Sequence, residues 1–287
     1  MMKQRQQWWT SSGVRLRHVA TTPGQTNWLF LPGGPGVGSQ SLLGLVHAAR
    51  VPGTAWLVDL PGDGSNRGVS AVPENPFARW PNVLVEAVQA LDQVVMVGHS
   101  TGGMFLSSVP ELEHHLAGMV LVSSAPHAGW RDTFAHYTRR HPIPGVAEAA
   151  ARYSACPDDR TLRELTLAAA PWNFTPASLP AGLTLLEDLP YNHDAVAWAD
   201  AYFDDTYRAR WAPQTLPALI VSGTDDHVVD QRLWHTEPDF HRPNIMHRRI
   251  DRAGHFPWIE NPDTVGAAFA ELIDQLHQTR SQHHHEE

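Results

Sequence analysis

The sequence predicts an α/β protein with a mostly parallel central sheet, flanking helices and an inserted helical segment. Three observations carry that prediction. Short apolar, strand-like runs alternate with helical patterns through the first half of the chain, as parallel strands joined by crossover helices require. The rhythm stops after Leu121-Val122-Ser123-Ser124 and resumes at Pro217, which implies an insertion. Between a strand-like run, Val94-Val95-Met96-Val97, and a helix-like one, Gly103-Met104-Phe105-Leu106, stands Gly98-His99-Ser100-Thr101-Gly102.

Taken in order, Gln7 to Thr10 and Val14 to Ala20 form an opening hairpin around Ser11-Ser12-Gly13. Strands near Trp28, Trp56, Val95 and Met119 then alternate with helices over Leu42 to Ala49, Val83 to Leu91 and Ser100 to Ser108. From about Ala125 to Ala212 no buried strand is visible; helical patches include Val146 to Tyr153, Thr161 to Ala169 and His193 to Tyr207. Leu219-Ile220-Val221 and the segment Ile245 to Ile250 restore the strand pattern. A last helix, Thr264 to His277, carries Val265, Phe269, Leu272, Ile273 and Leu276 for packing on the sheet. Ser281 to Glu287, with His283-His284-His285, reads as a frayed polar tail rather than a metal site.

Bulk properties exclude several classes. A chain of 287 residues suits one large α/β domain or a core with an insertion. A net charge of −9 argues against a nucleic-acid partner, which wants a basic face. The single cysteine, Cys156, forms no internal disulfide, so a reducing cytoplasm is expected. The charged start, Met1 to Gln7, leads into no apolar signal core, and no stretch is apolar enough to span a membrane. No His-x-x-x-His or Cys-x-x-Cys spacing points to a metal, and no cofactor is expected. The expected partner is a small-molecule substrate.

Gly-x-Ser-x-Gly between strand and helix describes a nucleophile elbow, a turn sharp enough to lift the serine hydroxyl clear of the backbone. The glycines allow strand and helix to approach where a Cβ would clash. A serine hydroxyl is a weak nucleophile at neutral pH, so Ser100 needs a base to take its proton. A histidine suits that task, and a carboxylate must fix its tautomer and stabilise the imidazolium. Ser222-Gly223-Thr224-Asp225-Asp226 and Ala253-Gly254-His255-Phe256-Pro257-Trp258 supply the two types, with Asp225, Asp226 and Asp230 competing for the acid role. His99 and His227 read as packing or turn residues, since most of the 18 histidines must be structural.

The order Ser100, acid, His255 is that of the α/β-hydrolases, and the chain resembles that superfamily over nearly its whole length. The resemblance implies the α/β-hydrolase fold and a Ser-His-Asp triad. In similar hydrolases the acid stands three residues after the strand-ending glycine, which favours Asp226. Pro32-Gly33-Gly34-Pro35-Gly36 is similar to the His-Gly-Gly-Pro-Gly of proline iminopeptidases, with Pro32 in the histidine's place. The Gly34 and Thr101 N–H groups are then the expected oxyanion hole; Pro35 has none to offer. Asp59-Leu60-Pro61-Gly62-Asp63-Gly64-Ser65 resembles a turn common in the superfamily and is given a structural role. An insertion before the acid is where similar hydrolases carry a helical cap. Residues 125–212 are accordingly expected to be the cap, and 1–124 with 213–287 the core.

Substrate is less legible. Trp130, Phe134, Tyr137, Trp172, Phe174, Trp198, Tyr202 and Phe203 gather aromatic surface in the insertion. Trp198 and Tyr202, one helical turn apart, are the candidate substrate-binding pair. Glu187, Asp188 and Asp194 are candidates for recognising a free amine or, more plainly, a solvated acidic face. His99 and Thr101 in the elbow resemble esterases and cofactor-free haloperoxidases, whereas the run from His255 to Glu260 resembles iminopeptidases. The expectation is hydrolysis of a small, fairly apolar carboxylic ester through an acyl-enzyme. An aminopeptidase or amidase, a meta-cleavage carbon–carbon hydrolase, and a non-catalytic ligand-binding protein of the same fold are the alternatives.

Overall fold

The computed structural model describes residues 7–68 and 75–286, with side chains as far as residue 279. Residues 1–6 and the side chains of His283-His284-His285 lie outside that description. Eight strands form one sheet: β1 (Gln7–Trp9), β2 (Arg15–Thr21), β3 (Asn27–Leu31), β4 (Thr54–Asp59), β5 (Val94–His99), β6 (Leu116–Val122), β7 (Ala218–Gly223) and β8 (Ile245–Ile250). Their spatial order is β1-β2-β4-β3-β5-β6-β7-β8, antiparallel across β1, β2 and β4 and parallel from β4 onward.

Alternation along the central strands explains why both faces are covered. Trp28, Phe30, Val95, Val97, Leu219 and Val221 point to one face, where they meet α1 (Leu43–Ala49) and α10 (Pro262–Glu286) through Leu45, Phe269 and Leu272. Leu29, Leu31, Val94, Met96 and Ile220 point to the other, against α2 (Trp80–Gln89) and α3 (Thr101–Ser107) through Trp80, Leu84 and Leu106. The register pairs His99 with Val122 and Val122 with Val221, so the carboxyl ends of β5, β6 and β7 finish side by side. Open α/β sheets bind ligands outside this edge.

Between β6 and β7 lie five helices: α4 (Trp130–Arg140), α5 (Val146–Ala155), α6 (Asp159–Ala168), α7 (Leu179–Glu187) and α8 (His193–Tyr202). Among the described residues the insert's only β feature is an isolated bridge, His127 with Arg208. Helix α6 starts at a capping box, in which Asp158 and Thr161 satisfy each other's backbone N–H groups. Helix α8 starts at Asn192, whose side chain accepts from Ala195 N–H. It stops at Tyr202 rather than Tyr207; a turn and the His127–Arg208 bridge take up the remainder.

Other elements also depart from the sequence reading. Helices α4 and α7 were not among the predicted patches; α4 carries Trp130, Phe134 and Tyr137 on one face but leaves each only half-buried. Helix α10 runs through Glu286 instead of fraying after His277, since no glycine or proline follows Gly266 to stop it. A four-residue helix, α9 (Pro257–Glu260), precedes it.

Candidate active site

The elbow is built from backbone. Ser100 joins β5 to α3 with φ 51° and ψ −123°, a left-handed conformation that costs a non-glycine residue about 1–3 kcal/mol. Its neighbours enforce the turn: a Cβ on Gly98 would lie 2.6 Å from Gly103 Cα, and one on Gly102 would lie 2.5 Å from Pro32 O. The Ser100 N–H donates to Val122 O at 2.8 Å, which pins the turn to β6. Ser100 is 9 % exposed.

Of the three candidate carboxylates, only Asp226 is brought to His255. Nδ1 of His255 stands 3.0 Å from Asp226 Oδ2 and 3.2 Å from Oδ1, with both residues buried. Asp226 Oδ1 also accepts from Val228 and Val229 N–H, each at 3.0 Å, so the carboxylate is aimed by its own loop. Asp225 accepts only from Thr224, and Asp230 caps the following turn while paired with Arg232 at 2.7 Å. No hydrogen bond joins the Ser100 hydroxyl to His255.

His99 bridges the two. It is 3 % exposed, and its Nε2 lies 3.0 Å from the carbonyl oxygen of His255. Burial, reinforced by the charge of His255, pushes its pKa well below the usual histidine range. The ring is therefore neutral, and Nε2–H is the donor. Phe256 and Trp258 pack around it at 5.0 and 4.8 Å. The packing role expected of His99 thus includes a polar contact that holds the His255 backbone. His227 instead stacks on Tyr137 of α4, rings 4.2 Å apart.

On the other side of Ser100 runs the glycine-rich loop. Thr101 Oγ1 donates to Gly34 O at 3.0 Å, which binds loop and elbow together. The N–H of Thr101 is a first-turn donor of α3, without an intrahelical acceptor. Pro32 follows the end of β3, its carbonyl pressed against Gly102. Below the loop, Asp59 is held by Arg15 and Arg17 at 2.9 Å each and by Ser39 Oγ at 2.7 Å, as the structural reading of its turn requires. Asp63, 4 % exposed, accepts from Gly64 N–H at 2.7 Å and from Gly36 N–H. Burial pushes its carboxyl up to about 7, with Asp59 adding to the shift and those amides and Arg67 opposing it.

Three polar residues escaped sequence reasoning. Asn173 O accepts the His255 N–H at 2.9 Å. Glu260 accepts from Gly254 N–H, from Thr175 N–H at 2.7 Å and from Ser178 Oγ, joining the histidine loop to the insert. Asn192 ties α8 to the glycine loop. A main-chain acceptor such as Asn173 O leaves no trace in a sequence; Glu260, in the quoted run after His255, was the one visible signal.

Trp198 and Tyr202 do lie on one helix, but Trp198 packs on Trp80 at 5.5 Å and Phe77 at 6.1 Å, while Tyr202 is 72 % exposed. Both line a cleft of about 550 Å³ with Gly62 and Pro76, whose walls include neither Ser100 nor His255. Glu187, Asp188 and Asp194 are exposed. Among the described residues no three His, Cys, Asp or Glu side chains converge as metal ligands, and no helix is long and apolar enough to cross a membrane.

Comparison with known proteins fits this geometry. A family model described as "Alpha/beta hydrolase family" matches residues 28–268. No curated protein sequence matches the chain. Similar solved structures include a proline iminopeptidase-related protein of Thermus thermophilus, with a TM-score of 0.65, 20 % identity and coverage of 94 % of this chain and 97 % of that one. Esterase RhEst1 from Rhodococcus sp. ECU1013 has a TM-score of 0.66 and 21 % identity over 94 % of this chain and 98 % of its own. A thermophilic esterase from Thermogutta terrifontis has a TM-score of 0.67 and 17 % identity over 95 % and 99 %. At such identities the likeness is one of fold.

Proposed function

The chain belongs to the alpha/beta hydrolase family, and from that premise we propose that it is a serine hydrolase cleaving a small, fairly apolar carboxylic ester. The observation that carries this reading is the Asp226–His255 pair, 3.0 Å between Oδ2 and Nδ1, beside a serine held at positive φ on the strand-to-helix turn. Asp226 accepts from Nδ1, which leaves Nε2 as the basic nitrogen of His255. Ser100 Oγ attacks the ester carbonyl as His255 takes its proton; the developing oxyanion is held by the Gly34 and Thr101 N–H groups. His255 then returns the proton to the departing alkoxide, and water repeats the sequence on the acyl-enzyme.

Residues 125–212 serve as the cap in this proposal, and 1–124 with 213–287 as the core. The exposure of Glu187, Asp188 and Asp194 supports an ester over an amino-terminal peptide, because a solvated carboxylate contributes little to recognising a substrate amine. A cytoplasmic setting is proposed on the single unpaired Cys156.

Fluorophosphonate labelling of the full chain and of Ser100→Ala tests the nucleophile, since only an activated serine reacts quickly. Aryl esters of graded acyl length, beside prolyl and alanyl arylamides, test the substrate class. Labelling that persists in Ser100→Ala, or arylamide turnover above that of every ester, would overturn the respective half of the proposal.

A further inference from the structure

Asn192 is 2 % exposed and stands where three segments meet: the glycine-rich loop, the turn after β4 and the start of α8. Its backbone N–H donates to Gly36 O at 2.8 Å. Its Nδ2 donates to Gly62 O, and its Oδ1 accepts from Ala195 N–H at 3.3 Å to cap α8. The fit leaves no slack. A Cβ on Gly36, whose φ is +94°, would lie 2.5 Å from Asn192 O and 2.9 Å from Val196 Cγ2. Two residues earlier, Gly34 is tied to the elbow by Thr101 Oγ1 at 3.0 Å. The loop is therefore held from opposite sides, at Gly34 by the nucleophile's own helix and at Gly36 by the insert.

We propose that Asn192 is a positioning residue for hydrolysis: by fastening Gly36 and Gly62 to the insert, it sets the direction of the Gly34 N–H. The proposal rests on the serine-hydrolase reading above. An oxyanion donor stabilises the transition state only when its direction is fixed before charge develops, and a displacement of about 1 Å can cost on the order of a hundredfold. Asn192 touches no reacting atom. Its side chain acts through Gly62, in the turn whose Asp63 accepts from Gly36 N–H, and its backbone through Gly36 O; both reach Gly34 along the loop, so it belongs to turnover and not to ground-state binding.

Asn192→Asp retains the cap and the backbone bond to Gly36 but replaces the donor to Gly62 with an acceptor; Asn192→Ser caps α8 without reaching Gly62. Asp158→Ala removes the half-buried cap of α6 and serves as a control for loosening the insert elsewhere. Hydrolysis of 4-nitrophenyl butyrate and the rate of inactivation by a fluorophosphonate are measured on each full-length variant, with melting temperatures. The expected result is a kcat lowered about tenfold or more in both Asn192 variants, KM within about twofold, and inactivation slowed in parallel, because the phosphoryl oxygen uses the same donors. Asp158→Ala should lower the melting temperature with kcat unchanged. If Asn192→Asp cannot be purified folded, Asn192→Ser carries the comparison. A kcat near wild type in the folded variants, a loss confined to KM, or an equal loss in Asp158→Ala would overturn the assignment. A wild type inert to the fluorophosphonate would instead overturn the serine-hydrolase reading, and the role of Asn192 with it.

Discussion

Nε2 of His99 lies 3.0 Å from the carbonyl oxygen of His255, and the two rings are 4.9 Å apart. The residue before Ser100 thus holds the backbone of the residue that pairs with Asp226. Because burial disfavours the cation, protonating His99 at Nδ1 costs folding free energy even though the Nε2–H bond to His255 O can persist. A base whose folded pKa lies below its unfolded value stabilises the fold less and less as pH falls from the unfolded pKa, here 6.5. Melting temperature should therefore drop as pH falls from about 6.5, by up to about 1.4 kcal/mol of stability per pH unit for this group. His99→Gln, which keeps an amide donor, should flatten that drop and retain most activity. His99→Leu should lose roughly tenfold in kcat from the freed carbonyl. Equal activity in the two variants would remove His99 from the positioning of His255.

Asp63 works in the opposite direction. Its folded pKa, about 7, exceeds the ordinary 3.8, so its contribution is complete below pH 3.8 and is lost as pH rises through 7. Over that window the cost of ionising it in place reaches a few kcal/mol, on the order of 1.4 kcal/mol per pH unit. Asp63→Asn keeps an oxygen for Gly64 N–H and should abolish the decline. Thermal melts of wild type and variant between pH 5 and about 8 would decide, and parallel curves would contradict the assignment.

Asp226→Asn should lower ester turnover by on the order of a hundredfold or more, because an amide cannot fix the tautomer of His255 or stabilise its cation. Asp225→Asn and Asp230→Asn should stay within about threefold of wild type, since neither carboxylate reaches His255. Steady-state kinetics on the three variants gives the ranking directly. A different order would sink the triad assignment.

Trp198→Ala should destabilise the protein by roughly 2–3 kcal/mol, by emptying the contact among Trp80, Phe77 and α8. Tyr202→Ala, at an exposed position, should change stability by less than about 0.5 kcal/mol. Neither should alter acyl-length preference. A shift in that preference for Tyr202→Ala would restore the pair to substrate binding.

How much of this was legible beforehand depends on whether a signal was local. Val94 to Gly102 declares strand, turn and helix within nine residues; Gly98 answers to a contact inside the turn, with Gly103, whereas Gly102 answers to Pro32 and Leu31 at the end of β3. Asp226 stood out through the resemblance to hydrolases that carry the acid three residues after the strand-ending glycine. Trp198 and Tyr202 were correctly read as sharing a helix, but the aromatic partner of Trp198 is Trp80, more than a hundred positions earlier, which helical periodicity does not encode. Helix α4 escaped because Trp130, Phe134 and Tyr137, half-buried on one face, stand among charged and polar residues, and Asn173 because its contribution to His255 is a carbonyl oxygen that every residue type possesses.

That carbonyl has a bearing on modularity. The insert supplies the acceptor for the His255 peptide N–H, and Glu260 fastens Thr175 and Ser178 to the same loop. A chimaera that replaced residues 125–212 with the corresponding segment of another hydrolase would strand the buried His255 N–H, at a cost of about 1–3 kcal/mol, unless the graft brought its own acceptor to that point. The segment cannot be exchanged as a free-standing specificity cassette. Grafts should be designed with the Asn173-to-Ser178 stretch left in place, and new sequence introduced only on either side of it.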